Sequence, residues 1–379
     1  VVGRYRRCCV APAAAGLGSP PAGHSEKEEK PMEYRQLGSS GLRVSALSLG
    51  TMTFGGRGRF ALVGDSDART ASRQIDMVLD AGVNLIDTAD VYSDGLSEEI
   101  VGEALAGRRD RVLLATKARF PMGAGGPNDS GLSRHHLIEG CEASLRRLKV
   151  DHIDLYQVHS WDGQTPLEET ARALDELVSS GKVRYIGASN HAGWQLLKAL
   201  GVQRALGLHQ YVSEQIYYSL QERSVEYELI PAAIEEGLGV LVWSPLAGGL
   251  LTGKFRRGQP APEGVRGLSE WGEPPVYDED KLYDTIELLA EIGQSHGVSA
   301  SQVALAWLLG RPAVSSVIIG ARTDEQLADN LAAAQLELSG EERARLDAVS
   351  AQPLIYPYWH QRATTKDRYG ASNIPLFTQ

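Results

Sequence analysis

The sequence predicts an α/β protein whose strands close into a parallel (β/α)8 barrel, a TIM barrel with its active site at the C-terminal ends of the strands. Three observations predict it. A short apolar strand, a polar exit and a helix with 3.6-residue periodicity follow one another eight times. Composition does not break between the repeats, and strands alternating with helices read as parallel βαβ units. Each strand exit carries a polar or aromatic side chain, and the exits are where barrels of this kind keep their chemistry. A doubly wound sheet is the alternative that the same rhythm allows.

The elements run in order. "SALSLG" leads to "SDARTASRQIDMVLDAG", in which Ile75, Met77, Val78 and Leu79 can share a buried side. "VNLID" leads to "SEEIVGEALAG", "RVLLATK" to "SRHHLIEGCEASLRRL", and "HIDLYQVH" to "TPLEETARALDELVSSG". "VRYIGASN" is followed by "AGWQLLKAL", "YVSEQ" by "ELIPAAIEEG", and "GVLVWSP" by a long loop and "DKLYDTIELLAEIGQSHG". "SSVIIG" and "TDEQLADNLAAA" come last. Helix boundaries are signed chemically. Thr165 with Glu168, and Thr323 with Gln326, match the capping-box spacing, and Pro166 sits where a missing N–H costs nothing. Gly181 and Gly237 fall at expected helix ends. "GGRGRF" and "GAGGPNDSG" are glycine-rich, but neither joins a strong strand to a helix, so both read as loops rather than dinucleotide fingerprints.

Residues 1–31 stand apart from this pattern. They have no apolar periodicity, begin with Val, and reach their first acid only at Glu26, while Met32 opens the strand-like "MEYRQLG". They read as a disordered or non-native leader, and residues 32–379 as the barrel with its C-terminal loop. A cleaved targeting segment is the alternative, since arginines precede a stretch of small residues.

Composition narrows the function classes. A net charge of −10 argues against a nucleic-acid binder, which carries a basic footprint. No run approaches the roughly 20 apolar residues that span a bilayer. Three cysteines, Cys8, Cys9 and Cys141, make no disulfide framework, and a reducing, cytoplasmic setting is the simplest home. His135, His136 and Cys141 lie in one helical segment without the spacing of a zinc site.

The stretch "NLIDTADVYSDG" places Asp87, Asp90 and Tyr92 just behind an apolar strand. Turn chemistry alone would explain two acids there. The other exits change the balance: Thr51 and Met52, Lys117, His159, Ser189 with Asn190, Gln215, Trp243 with Ser244, and Gly320 with Arg322. Each has an ordinary structural explanation by itself. Together they face one barrel mouth.

The stretches "LIDTADVYSDGLSEEIVGEAL", "LLATKA", "IDLYQVHSWD", "GKVRYIGASN" and "WSPLAGGLLTGKF" resemble the aldo-keto reductase superfamily, its microbial-type branch more than its mammalian aldose reductase branch. The likeness runs from Met32 to Phe377. It implies a catalytic set of Asp87, Tyr92, Lys117 and His159. It also implies NADPH/NADP+ contacts at Gly50, Thr51, Met52, Asp87, Ser189, Asn190, Gln215, Trp243, Ser244, Leu246, Gly320, Arg322, Gln326 and Asn330. Trp243 replaces a tyrosine that many relatives stack on the nicotinamide, and Gln326 stands where other branches carry an arginine, which leaves the phosphate contacts open.

The chemistry implied is reduction of an aldehyde or ketone, or oxidation of an alcohol, on a small-molecule substrate. Tyr92 would supply the proton, Lys117 would stabilise the phenolate, Asp87 would hold Lys117, and a neutral His159 would align the substrate oxygen. Some proteins resembling the family act instead as dinucleotide-binding potassium-channel β subunits, and an intact catalytic set does not separate the two. Substrate choice is expected in the long loop after "WSPLAGGLLT" and in the tail "YPYWHQRATTKDRYG", with Trp161, Trp271 and Trp359 as candidate lining. Oligomeric state is not legible.

Overall fold

A computed structural model describes residues 30–123, 125–260, 274–373 and 376. The leader expected over residues 1–31 lies, apart from its last two positions, outside the described residues, as does Trp271. An antiparallel hairpin of β1 (Tyr34–Gln36) and β2 (Arg43–Ser45) comes first. Then follow β3 (Leu47–Gly50), α1 (Ala68–Asp80), β4 (Leu85–Asp87), α2 (Leu96–Ala104), β5 (Leu113–Ala118), α3 (Arg134–Leu148), β6 (Ile153–Val158) and α4 (Leu167–Ser179). The chain continues through β7 (Val183–Ser189), α5 (Gly193–Ala205), β8 (Ser213–Tyr217), α6 (Leu229–Glu236), β9 (Gly239–Trp243), α7 (Glu279–His296) and α8 (Ala300–Leu309). It closes with β10 (Val314–Ile319), α9 (Asp324–Ala332), α10 (Gly340–Val349) and α11 (Tyr358–Thr364). Strands β3 to β10 pair in parallel and β10 returns to β3, so the barrel is closed.

Alternation along the strands sorts the side chains into two cores. Leu85, Ala115, Leu155 and Leu241 point inward and pack with Leu37 and Val44 of the hairpin, which stops the barrel's lower end. Fully burying each of these leucines is worth about 1.5–3 kcal/mol. Their outward neighbours, among them Leu49, Ile86, Leu114, Ile186 and Val242, meet the helices in a second, larger core. Two residues further along the inward rows stand Asp87, Lys117, Gln157 and Trp243. The apolar floor therefore carries a polar layer at the mouth. Register fixes its height, with Gly50 opposite Asp87 and Lys117 opposite Gln157.

Some local expectations fail. Helix α8 is absent from the sequence reading, which gives the seventh unit only α7. Val303, Ala304, Leu305, Ala306, Trp307 and Leu308 are all buried, so α8 has no polar face to create a period. It packs on β10, with Trp307 held between the guanidiniums of Arg223 and Arg311 at 5.1 and 4.7 Å. The box at Thr165 does not form: Pro166, not Thr165, takes the N-cap position of α4, without a side-chain cap, and the Thr165 hydroxyl donates to Asp162 at 2.7 Å. The box at Thr323 is half made. Thr323 accepts from the Gln326 N–H, but the Gln326 side chain accepts from Arg322 N–H rather than from Thr323. Gly237 ends α6 at φ 68°, and Gly181 follows α4 at φ 76°, both as expected.

Candidate active site

Asp87 is the last residue of β4, and the chain beyond it stays beside β5, with Thr88 N–H donating to Ala115 O and Asp90 N–H to Lys117 O. It then folds back through a tight turn at Tyr92–Gly95. Ser93 and Asp94 hold left-handed φ values of 51° and 55° there, and the Ser93 hydroxyl donates to Phe54 O at 2.9 Å. This turn sets Tyr92 over the mouth. Lys117, fully buried on β5, donates to Asp87 Oδ1 at 2.5 Å, to Thr88 O at 2.8 Å and to Tyr92 Oη at 3.3 Å. Asp87 Oδ2 takes the amides of Gln215 at 2.8 Å and Gln157 at 3.2 Å. Just beyond β6, His159 meets the Tyr92 ring edge-on at 5.9 Å.

The electrostatics follow from burial. Desolvation pushes Lys117 down, but Asp87, then Tyr92, outweigh it, and the ammonium ends above its ordinary range. It stays charged. Burial drives His159 well below the ordinary imidazole value, and Lys117, Arg119 and Arg59 push it the same way, so the ring is neutral near pH 7. Asp90 belongs behind the site. Its carboxyl is 1 % exposed and is pushed well above the carboxylate range by burial and by Glu98.

The remaining expected residues gather at the exits of β3 and of β7 to β10, and several are already engaged. Thr51 Oγ1 is buried against Asp87 O and Ser97. Next to it, Met52 is half-buried. Ser189 Oγ donates to Gln215 O at 2.9 Å. Asn190, exposed and left-handed at φ 56°, donates to His159 O and accepts from Trp243 Nε1, both at 3.0 Å. Ser244 accepts from Gly248 N–H, and Leu246 opens the turn that follows. Arg322 pairs with neither Asp324 nor Glu325. It donates to the carbonyls of Val63 at 2.8 Å and Leu62 at 3.0 Å, while Asp324 takes Arg73. Asn330 is buried and donates to Gly320 O.

Sequence reasoning missed Gln157, which shares Asp87 with Gln215. The signal was present: Gln157 lies two residues before His159 and opposite Lys117, on an inward position. It also missed Phe60, 5.6 Å from the Tyr92 ring, and Phe120, 4.8 Å from His159. Of the candidate wall tryptophans, Trp161 packs against His191 and Trp194 beside the β7 exit. Trp359 instead stands on α11 with Tyr356 and His360, 52 % exposed.

The family model for the Aldo/keto reductase family matches residues 46–351. The chain belongs to the aldo/keto reductase family. This aldo/keto reductase is 42% identical over 320 residues to the uncharacterized oxidoreductase YrpG of Bacillus subtilis, covering 82% of this chain and 93% of that one. It is 39% identical to a probable voltage-gated potassium channel subunit beta of Oryza sativa, over 80% of this chain and 91% of the relative. It is 35% identical to the versiconal hemiacetal acetate reductase of Aspergillus parasiticus, over 86% and 99%. The family uses nicotinamide cofactors.

The mouth suits such a group. Trp243, half-buried and tilted on Tyr217 at 5.0 Å, offers a fixed aromatic face. The buried Nδ1 of His159 has no hydrogen-bond partner among the described residues. Among the described residues, a Cβ added at Gly320 would meet only the Gly50 carbonyl, at 3.7 Å, which leaves room beside the start of α9. A helix start with an arginine beside it favours phosphate. Among the described residues no helix is long and apolar enough to cross a membrane.

Proposed function

We propose that this aldo/keto reductase is an NADP(H)-dependent enzyme that reduces aldehyde or ketone carbonyls to alcohols, or runs the reverse, with Tyr92 as proton donor. The observation that supports it most is the contact chain from Asp87 through Lys117 to Tyr92, 2.5 and 3.3 Å, at the barrel mouth. When bound, the nicotinamide supplies or accepts the hydride. The protein's share is the proton. Tyr92 gives its phenol proton to the carbonyl oxygen, and the adjacent ammonium of Lys117 stabilises the phenolate left behind. Asp87 keeps that ammonium charged in a buried place. Neutral His159 hydrogen-bonds the same oxygen and orients it against Tyr92.

In this reading Trp243, with its aromatic face, and Ser189, Asn190 and Gln215 would hold the nicotinamide end of the dinucleotide. Gly50, Thr51, Met52, Ser244, Leu246, Gly320, Arg322, Gln326 and Asn330 flank the rest of the dinucleotide. Preference for NADPH rests on Arg322, whose guanidinium is steadied by the Leu62 and Val63 carbonyls beside α9. A fixed fork of donors suits a 2′-phosphate.

A second reading, a dinucleotide-binding channel subunit, is favoured by relatives from rice, Arabidopsis thaliana and fission yeast that are named probable or putative voltage-gated potassium channel β subunits, at 39%, 37% and 34% identity. The two separate in one assay of the whole chain. A benzaldehyde series with NADPH should give multiple turnovers per active site. Tight NADPH binding with no turnover of any carbonyl would contradict the reductase reading.

A further inference from the structure

Two arginines flank the reacting groups through two phenylalanines. Phe60 packs edge-on against Tyr92 at 5.6 Å, and the Arg59 guanidinium carbon lies 5.4 Å from the Phe60 ring centre. Phe120 packs edge-on against His159 at 4.8 Å, and the Arg119 guanidinium carbon lies 5.3 Å from the Phe120 ring centre. Each proposed proton-handling side chain thus has an aromatic wall with a cation on it. The two pairs come from different loops, one after β3 and one at the exit of β5.

Arg119 is, among the described residues, the unmatched cation of the group. Lys117 is matched by Asp87 at 2.5 Å, but Arg119 forms no ion pair or side-chain hydrogen bond among the described residues, and its Nε is buried without a partner. Among the described residues, the charged groups that act on His159 are cations: Lys117, then Arg119, then Arg59. In a chain of net charge −10 this is a local reversal. A buried donor without an acceptor is costly unless a bound molecule supplies one. A guanidinium fork matches carboxylate and phosphate oxygens.

We propose that Arg119, assisted by Arg59, selects carbonyl substrates that carry an anionic group, a carboxylate or a phosphate, held beyond the Phe120 and Phe60 rings while the carbonyl meets Tyr92 and His159. This rests on the carbonyl reductase reading and names the substrate class of that same site. Phe60 and Phe120 form the apolar walls between the reacting carbon and the anion. The arginines touch no reacting atom; they set specificity.

The test compares matched pairs with the whole chain and NADPH: 4-carboxybenzaldehyde against benzaldehyde, and glyceraldehyde 3-phosphate against glyceraldehyde. The native protein should favour the anionic member of at least one pair by about tenfold or more in kcat/KM, as a charge-assisted hydrogen bond allows. The pair that responds tells carboxylate from phosphate. Arg119→Gln should cut that preference about tenfold, Arg119→Lys should keep most of it, and raising the salt should narrow it. Arg59→Gln, at an exposed position, should weaken the preference too, and checks the idea should Arg119→Gln fail to fold. Equal turnover of both members in the native protein, or a preference unchanged in Arg119→Gln, would overturn the proposal alone. So would a raised KM for NADPH in Arg119→Gln with the preference intact, since the arginine would then serve the cofactor. No turnover of any carbonyl would overturn the reductase reading and this proposal with it.

Discussion

The Lys117 ammonium lies 3.3 Å from the Tyr92 hydroxyl, although the two residues leave different strands and stand 25 positions apart. The same ammonium also contacts Asp87 and the carbonyl of Thr88. A fully buried cation is tolerated here because the carboxylate opposite it is buried too.

That pairing predicts an asymmetric mutant cycle. Lys117→Met leaves the Asp87 carboxylate buried, with the uncharged amides of Gln157 and Gln215 as its partners among the described residues. It should lower stability by about 3–5 kcal/mol. Adding Asp87→Asn should recover a large part of the loss, because no uncompensated charge remains, while turnover stays absent. Urea unfolding of the two single variants and the double variant measures this. Strictly additive losses would show that the pair does not act as a unit.

Stability should also fall on the alkaline side because of Glu214. It is buried on β8, accepts the His191 N–H at 3.0 Å, and burial pushes its carboxyl up to about 8. The native chain therefore holds this proton where the unfolded chain has released it. The stabilising effect is complete below the ordinary glutamate value of 4.5 and is lost as pH rises towards about 8. The loss is on the order of 3–5 kcal/mol. Glu214→Gln keeps an oxygen for His191 and removes the titration. Its melting temperature should decline less between pH 5 and pH 9 than that of the native chain. Parallel declines would place Glu214 as a carboxylate throughout.

Much of this was legible from the residues, and the failures have physical causes. The strands were legible because apolar runs stop at polar exits, and a barrel turns eight exits to one rim. Asp87, Lys117 and His159 lie on or just past that rim, so their meeting needed only strand length. Helix α8 was hidden because burial on all sides leaves no period to read. The box at Thr165 failed because α4 starts one residue later than the spacing implies, with Pro166 as its N-cap, so the Thr165 hydroxyl lies outside the helix start and donates to Asp162. Phe60, Phe120 and their arginines come from loops, whose paths no periodicity fixes.

Arg322 provides a prediction that separates a cofactor role from a structural one. Its guanidinium already bridges to Leu62 and Val63, so Arg322→Ala loosens that loop whether or not phosphate binds. If it also reads the 2′-phosphate, KM for NADPH should rise about ten- to hundredfold, from the loss of about 1.5–3 kcal/mol, and KM for NADH by less than about threefold. Equal changes for both dinucleotides would leave Arg322 as a loop tie only.

The most direct test of the account is Tyr92→Phe, assayed for carbonyl reduction and for NADPH affinity on the same preparation. The substitution removes one hydroxyl and keeps the ring packed between Phe60 and His159. If Tyr92 delivers the proton, kcat should fall by about 10²–10⁴, while the dissociation constant for NADPH changes by less than about threefold, because the phenol acts only in the chemical step. A Phe variant that reduces aldehydes at near the native rate would contradict the assignment of Tyr92 as the acid, and with it the mechanism built on Lys117 and Asp87.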